Sequence, residues 1–249
     1  MKLDVAMRTD RGVVREQNED AVGGDPEAGL LILADGMGGA NAGEVASSLA
    51  VEMLMSHMAS VTAESARVLG RDDLLNAVQG VNQAIMELSQ QVPEYQGMGT
   101  TLVVGLFGKQ SLLHAHVGDS RLYRLRSGGF EQMTRDHTMI QEMVDLGDFA
   151  SFEKALMAGV PTNILSRAVG SEDVLDIDLA ESEIEIGDLY LFCSDGLTGM
   201  VTDDEIQSIL ENLNLDLMQQ ADELVDYACR MGGMDNISVI LVRVMASDS

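Results

Sequence analysis

The strongest constraint on this chain is a pattern that occurs twice: a short apolar run, typical of a buried strand, that ends in an Asp-Gly pair. The two runs lie at residues 31–36 and 189–196. A carboxylate at the end of a buried strand, followed by a glycine that lets the backbone turn sharply, is well suited to bind a hard cation. Asp119 follows another apolar segment and Asp235 precedes one. The sequence therefore predicts that several strand ends converge on one acidic site.

Length and composition favour one compact domain that comprises residues 1–249. Apolar residues make up 46% of the chain, which is enough for a sizeable core, and there are only three prolines and no linker-like Gly/Ser-rich tract. The net charge is -26. This charge argues against nucleic acid and anionic membranes as partners, because both are themselves negatively charged.

Nothing in the sequence predicts export or membrane insertion. The N-terminus lacks an apolar signal segment, and no run of about 18 apolar residues is long enough to span a bilayer. Cys193 and Cys229 are the only cysteines and lie in apolar surroundings, which favours a reducing cytoplasm over a disulfide scaffold. We expect a cytoplasmic protein and a monomer, since no unusually apolar surface can be identified in the sequence.

Hydrophobic periodicity predicts many short strands and several amphipathic helices. Strands are expected at residues 3–9, 21–24, 30–34, 100–107, 112–117, 121–125, 129–133, 174–180, 188–193 and 237–245. Helices are expected from residue 44, from residue 72 to a stop at Pro93, and at residues 203–213 and 217–231.

Two local expectations concern how these elements connect and pack. Residues 36–43 predict a flexible loop, and Val45, Leu49 and Met53 define one face of the helix that follows. The short turns between the middle strands, including residues 118–120, predict antiparallel hairpins.

The order of the elements predicts the fold class. Residues 136–168 fit the pattern least well. They are expected to begin as a helix, with Met139, Ile140, Met143 and Val144, and to continue as an irregular insertion over the sheet edge, where a lid or substrate-facing flap would lie. Elsewhere, helix pairs and runs of antiparallel strands replace strand–helix alternation. This order predicts an α+β fold in which two antiparallel sheets pack face to face, with helices outside.

The acidic site has the chemistry of a centre for Mg²⁺ or Mn²⁺, which prefer carboxylate and carbonyl oxygens. Asp35, Asp195 and Asp235 would supply such ligands if they converge, together with the backbone carbonyl of Gly36. Two ions about 3.5–4 Å apart would hold a hydroxide that could attack a phosphorus atom in line. Arg15 is the best phosphate ligand, because its guanidinium can donate two hydrogen bonds to phosphate oxygens.

Short motifs that cover most of the chain point to a known family. They are Arg15-Glu16-Gln17-Asn18-Glu19-Asp20, Asp35-Gly36-Met37-Gly38-Gly39, Gly97-Met98-Gly99-Thr100-Thr101, Gly118-Asp119-Ser120-Arg121, Asp136-His137-Thr138, Ser194-Asp195-Gly196-Leu197 and Asp235-Asn236. In this order they resemble the motifs of the protein phosphatase 2C family, the metal-dependent PPM serine/threonine phosphatases, in its bacterial form. The resemblance implies a four-layer α-β-β-α sandwich with the metal ions in a cleft at one end of the sheets.

The resemblance also implies a role for each metal ligand. Asp35 would bridge two Mn²⁺ or Mg²⁺ ions, and Gly36 would give its carbonyl to one of them. Asp195 and Asp235 would complete the shell of the other ion. Asp119, together with Asp195, would hold a third and weaker ion.

Other residues would act around the metal ions and their ligands. The resemblance implies that Glu19 and Asp20 act mainly through metal-bound water and that Arg15 binds the substrate phosphate. Residues at about 145–165 correspond to a variable flap beside the cleft.

The chain departs from some family members near the metal-site glycine, where those members carry a His that could protonate the leaving group. Here Met37 occupies that position and Ala40 follows the glycine pair, so the general acid is not identified. His137, within an Asp-His-Thr motif, is expected to be structural.

The predicted function is hydrolysis of phosphoserine and phosphothreonine in proteins. The resemblance implies that a bacterial Ser/Thr kinase and its targets are the partners. One alternative is a regulatory module that binds a kinase or phosphoprotein with little turnover. The intact Asp35, Asp195 and Asp235 argue against it, because binding alone does not require this arrangement. The other alternative, a metallohydrolase of small phosphoesters, stays open because an open cleft would accept both kinds of substrate.

Overall fold

The computed structural model describes residues 1–39, 42–65 and 69–246. The strands are β1 (Lys2–Asp10), β2 (Asp20–Asp25), β3 (Leu30–Met37), β4 (Gly99–Thr100), β5 (Leu102–Phe107), β6 (Ser111–Val117), β7 (Arg121–Arg126), β8 (Gly129–Gln132), β9 (Asp178–Glu183), β10 (Leu189–Cys193) and β11 (Ile237–Met245). The α-helices are α1 (Ala42–Ser65), α2 (Arg71–Gln91), α3 (Met139–Asp145), α4 (Phe152–Met157), α5 (Asp195–Thr198), α6 (Asp203–Leu210) and α7 (Leu217–Arg230). None of the described helices is long and apolar enough to cross a membrane.

The strands form two antiparallel sheets. The first sheet has the order β1-β11-β10-β7-β8, and the second has the order β2-β3-β5-β6-β9, with β4 paired to β3. The last strand, β11, has the predicted bounds and lies between β1 and β10. Both of its edges are hydrogen-bonded there, which suits a strand with almost no polar residues.

Side chains alternate along each strand and divide the core into three apolar layers. In β3, Leu31 and Leu33 face the other sheet, whereas Leu30 and Ile32 face α1 and α2. β11 is divided in the same way between the inter-sheet layer and the helices α5, α6 and α7. A strand buried on both faces needs apolar residues at successive positions, which explains the continuous apolar runs. The predicted α+β sandwich, with helices on both outer faces, is confirmed.

The helix α2 has the predicted apolar stripe, but the buried face of α1 differs from the prediction. The positions of α1 that are least exposed are mostly small: Ala42, Ala46 and Ala50, followed by Leu54 and Met58. The predicted Val45, Leu49 and Met53 are only partly buried beside them. Alanines allow a helix to approach a sheet closely, so here the small side chains occupy the innermost positions.

β3 extends further than the sequence predicted. Gly36 and Met37 pair with Thr100 and Gly99 of β4, so the first part of the predicted 36–43 loop is strand, and residues 40–41 lie outside the described residues. The predicted strand at 100–107 is divided at Thr101, whose N–H donates to the carbonyl of Asp35 at 2.8 Å. Asp35 therefore lies within a hydrogen-bonded strand rather than at its end.

The turn at residues 118–120 is not a hairpin, contrary to the prediction. It carries the chain from β6, in the second sheet, to β7, in the first. A short turn is compatible with either outcome, and the choice follows from distant pairing: β6 with β9, and β7 with β10. The crossing places Asp119 between the two sheets, at one end of the sandwich.

The remaining differences lie between residues 136 and 183. The insertion begins with the predicted helix, α3, and also contains the short helix α4, which was not predicted; the side chains of Thr138 and Ser151 cap their first turns. The strand predicted at 174–180 is β9, at Asp178–Glu183. Its bounds follow from its register with β6, in which Asp178 lies opposite His116.

Candidate metal centre

The space between the sheets changes from apolar to polar at one end. The polar residues at this end each lie two positions along the chain from an apolar residue whose side chain faces the inter-sheet layer. Because side chains alternate along a strand, the polar side chain faces the same way as that apolar one. We call this set the polar end layer: Asp20, Asp35, Thr101, Ser120, Ser194 and Ser238. It marks the end of the apolar core and forms the floor of the candidate site.

Hydrogen bonds connect the polar end layer across the two sheets. The hydroxyls of Thr101 and Ser120 lie 2.7 Å apart, and Thr101 Oγ1 accepts the N–H of Asp35 at 3.0 Å. Ser194 Oγ donates to Asp20 Oδ2 at 2.8 Å. These hydroxyl residues were not predicted from the sequence. The signal that could have found them is a Ser or Thr two positions before or after an apolar strand residue.

A cleft of about 600 Å³ opens beside the polar end layer. Its lining includes Asp35 of β3, Asp119 of the sheet crossing, Asp195 at the start of α5, and Asp235 just before β11. Arg15, Glu19 and Gly36 also line it. Asp20 is buried and lies opposite Asp35 in the β2–β3 pair. The structure thus brings together every site residue that the sequence analysis named.

Asp35 interacts electrostatically with several of the other carboxylates in this group. Burial raises the pKa of Asp35 well above its usual value, and repulsion from four other carboxylates, Asp20, Asp195, Asp119 and Asp235, raises it further. A set of carboxylates that repel one another in this way requires positive charge nearby when it is ionised.

Two further carboxyl groups have strongly shifted pKa values, and one has an orphaned oxygen. Burial raises the pKa of Asp119 to about 7, and it raises the pKa of Asp20 to about 7 despite hydrogen bonds from Ser238 and Ser194. Asp20 Oδ1 is buried without a hydrogen-bond partner among the described residues, which is costly for an ionised oxygen. These oxygen-only donors fit Mg²⁺ or Mn²⁺, which would neutralise their repulsion.

Arg15 lies at the mouth of the cleft and is about half exposed. Its Nη2 donates to Asp235 Oδ2 at 2.7 Å. Attraction to Arg15 lowers the pKa of nearby Glu19, but burial outweighs this effect and the net pKa is raised. Arg15 therefore combines contact with one acidic residue and access to a ligand in the cleft.

A second group of possible metal ligands fits a cation less well. Ligand atoms of His116, His137 and Asp178 lie within 4.8 Å of one another. His137 Nδ1 accepts the N–H of Gly118 at 3.2 Å, which leaves the proton on its other ring nitrogen. The guanidinium of Arg167 lies 2.9 Å from Asp178 and would repel a cation. We interpret this group as a brace for the sheet crossing, in keeping with the structural role expected for His137.

The comparisons with known proteins agree with this chemistry. The family model described as protein phosphatase 2C matches residues 13–227. Serine/threonine phosphatase Stp of Listeria monocytogenes is 37% identical over 243 residues, which are 96% of this chain and 95% of that protein. The chain belongs to the protein phosphatase 2C family.

Solved structures of protein phosphatase 2C relatives share the fold. The Mycobacterium tuberculosis serine/threonine phosphatase PstP has a TM-score of 0.86 and 37% identity, covering 99% of this chain and 100% of that one. The catalytic domain of PstP in complex with two manganese ions has a TM-score of 0.85 and 37% identity, covering 98% and 99%. The present chain is a metal-dependent serine/threonine phosphatase that uses Mn²⁺ or Mg²⁺.

In this protein phosphatase 2C member, Asn236 joins the loop of residues 11–19 to the segment that carries Asp235. Its Oδ1 accepts the N–H of Glu19 at 2.8 Å, and its Nδ2 donates to the carbonyls of Arg11 at 2.9 Å and Gln17 at 2.8 Å. These partners are at least 217 residues away in sequence. In the sequence, Asn236 stands out only as part of a motif, because no local pattern reveals such distant partners.

Replacing Asn236 with Ala should raise KM several-fold and lower the free energy of unfolding by about 2 kcal/mol, because three backbone groups lose their hydrogen-bond partner. Asn236 is 4% exposed, so water cannot readily replace the lost bonds. Urea denaturation and steady-state kinetics would measure both effects. The exposed Asn214 is the control, since Asn214→Ala should change stability by less than about 0.5 kcal/mol. Equal effects of the two substitutions would contradict this role of Asn236.

Proposed function

We propose that this phosphatase hydrolyses phosphoserine and phosphothreonine in proteins at the cleft of the polar end layer, with Asp35 shared between two Mn²⁺ or Mg²⁺ ions. The observation that carries the proposal is the convergence on Asp35 of carboxylates from separate elements. Burial raises the pKa of Asp35, and repulsion from the carboxylates of Asp20, Asp195, Asp119 and Asp235 raises it further. When bound, two such metal ions lower the pKa of water towards neutrality and offset the negative charge of the phosphoryl oxygens.

The family resemblance suggests the roles of the remaining ligands. The carbonyl of Gly36 would bind one of the two metal ions, and Asp195 and Asp235, which also line the cleft, would complete the shell of the other. Asp119, on the sheet crossing, would hold a third and weaker ion together with Asp195. Repulsion from Asp195 contributes to the raised pKa of Asp119, which supports their pairing.

Two acidic residues would interact with the metal ions indirectly, through metal-bound water. Asp20 lies beneath the cleft, hydrogen-bonded to Ser194, and its orphaned oxygen would accept a hydrogen bond from metal-bound water. Glu19 lines the cleft and would act in the same manner. Both positions are held by β2 and by the loop that Asn236 joins to the segment of Asp235.

Arg15 would bind the phosphate of the substrate, since it lines the cleft and is half exposed. Replacing Arg15 with Ala should raise KM for a phosphothreonine peptide about tenfold and change kcat much less, because a bidentate contact to phosphate is lost. Arg230→Ala is the matched control, because Arg230 is similarly exposed and is paired with Glu223 at 2.6 Å on α7. An unchanged KM for the Arg15 variant would remove Arg15 from the phosphate site.

The experiment that tests the function compares turnover with and without metal. Hydrolysis of para-nitrophenyl phosphate, and then of a phosphothreonine peptide, should require Mn²⁺ or Mg²⁺ and should stop on addition of EDTA. A kcat/KM for the peptide that greatly exceeds that for small sugar phosphates would favour protein substrates. No turnover of any substrate with either metal would contradict the proposal.

The biological setting is proposed more broadly. We infer that the phosphatase acts as a monomer in a bacterial cytoplasm, on a Ser/Thr kinase and the targets of that kinase. The free thiols of Cys193 and Cys229 support a reducing compartment. We also propose that residues 145–165 form a variable flap that affects substrate choice, since Asn163 and Ile164 within it line the cleft. Size-exclusion chromatography would test the monomer, and a phosphoproteome with and without the protein would test the targets.

A further inference from the structure

Three exposed apolar side chains lie on the two segments that lead into Arg15 and Asp235, both of which line the cleft. Val13, Val14 and Met234 are 66%, 55% and 56% exposed, and we call them the valine–methionine patch. Val13 and Val14 both donate their backbone N–H groups to the carbonyl of Gly233, at 2.8 Å and 3.2 Å. A Cβ on Gly233 would lie only 2.8 Å from Val13 Cγ2. The two segments that carry the patch are therefore in direct contact.

The patch continues the part of the cleft that would bind phosphate. Val14 directly precedes Arg15, and Met234 directly precedes Asp235. Arg15 and Asp235 are joined by the 2.7 Å ion pair. Successive residues of an extended peptide are about 3.3 Å apart. A phosphorylated residue at Arg15 would therefore bring the neighbouring residues on one side of it within reach of the patch.

The chemistry of the surroundings favours an apolar neighbour over an acidic one. The cleft is lined by carboxylates and the chain carries a net charge of -26, so an acidic neighbour in the substrate would be repelled. An apolar side chain would gain by removing itself and the patch from water. The backbone hydrogen bonds hold the patch in place before substrate arrives, so little further ordering is needed on binding.

We propose that the valine–methionine patch binds an apolar side chain of the substrate protein, one or two residues from the phosphorylated serine or threonine. It makes the phosphatase select phosphorylation sites by their immediate sequence. This inference rests on the proposed function, since it assigns a specificity-determining surface to the same cleft.

The first test uses the wild-type protein with Mn²⁺ and two phosphothreonine peptides that differ only in carrying Leu or Ser at the two positions on either side. The Leu peptide should have a kcat/KM about tenfold higher, mainly through a lower KM. Para-nitrophenyl phosphate, which has no neighbouring residues, is assayed in parallel. Equal kcat/KM for the two peptides would overturn this inference and leave the proposed function standing. Absence of all Mn²⁺-dependent turnover would overturn both.

The second test locates the preference on the surface. The double substitution Val13→Ser and Met234→Ser should reduce the ratio of the two kcat/KM values from about tenfold to nearly one. Both positions are exposed, and thermal melting with and without Mn²⁺ would verify that the variant folds. A ratio that stays near tenfold in a folded variant would overturn the assignment to the patch.

The control has the same chemical change at distant positions. Ile186 and Leu213 are 72% and 92% exposed, and neither lines the cleft. The double substitution Ile186→Ser and Leu213→Ser should leave the ratio of the two kcat/KM values near tenfold. Loss of the ratio in this control would show that the preference does not come from the valine–methionine patch.

Discussion

Replacing Asp35 with Asn should lower kcat/KM by about a thousandfold or more and weaken Mn²⁺ binding, because a charged oxygen ligand at the centre of the site is lost. Asn preserves the size of the side chain, so the effect isolates the charge. Activity would be measured across a Mn²⁺ titration, and metal affinity by calorimetry. The exposed Asp226, on α7, allows the same substitution as a control, and Asp226→Asn should keep near wild-type activity.

Although Asp35→Asn should impair activity and metal binding, it should stabilise the metal-free protein. Burial and the neighbouring carboxylates raise the pKa of Asp35 in the folded state. For a carboxyl group whose folded pKa is raised, the contribution to stability is fully present below the unfolded pKa and is lost as pH rises through the folded pKa.

In EDTA at pH 8, Asp35→Asn should therefore melt at a higher temperature than the wild type. The difference should shrink as the pH falls and vanish below about 4, where Asp35 becomes protonated in the unfolded state as well. Addition of Mn²⁺ should raise the Tm of the wild type more than that of the variant. Near wild-type activity, or a variant that is less stable in EDTA, would contradict the central position of Asp35.

Replacing Gly196 with Ala should destabilise the protein by about 3 kcal/mol and weaken metal binding. A Cβ at this position would lie 1.9 Å from the carbonyl oxygen of Asn236 and 2.9 Å from its carbonyl carbon. Both are backbone atoms, so no flexible side chain can move aside. Relief of the contact would move α5 away from the start of β11, and thus separate Asp195 from Asp235.

A glycine in a different setting provides the control for Gly196. Gly80 is exposed on α2, and a Cβ there would meet no described atom within 4 Å. Gly80→Ala should stabilise the protein by about 0.5–1 kcal/mol, because alanine has the higher helix propensity. Urea denaturation of both variants should give free-energy changes of opposite sign. A Gly196→Ala variant as stable as the wild type would show that this close packing is not required.

Much of the local structure could be predicted from hydrophobic pattern alone. The bounds of β11 and the apolar stripe of α2 follow from residues that are adjacent on one element. The buried face of α1 could not be predicted in this way, because close packing selects small residues such as Ala46 and Ala50 rather than the largest apolar ones. Likewise, a short turn such as 118–120 does not reveal whether it joins paired strands or crosses between sheets.

By itself, the sequence determined which side chains are available for metal and phosphate chemistry, since an apolar run that ends in Asp-Gly is a local pattern. Only the tertiary structure decided how they are arranged: Asp119 on a sheet crossing, Asp35 within a paired strand, and Asn236 joined to a loop more than 200 residues away. The physical reason is that local patterns record which face of an element is buried. The partner of that face is chosen by packing and hydrogen bonds between residues far apart in the chain.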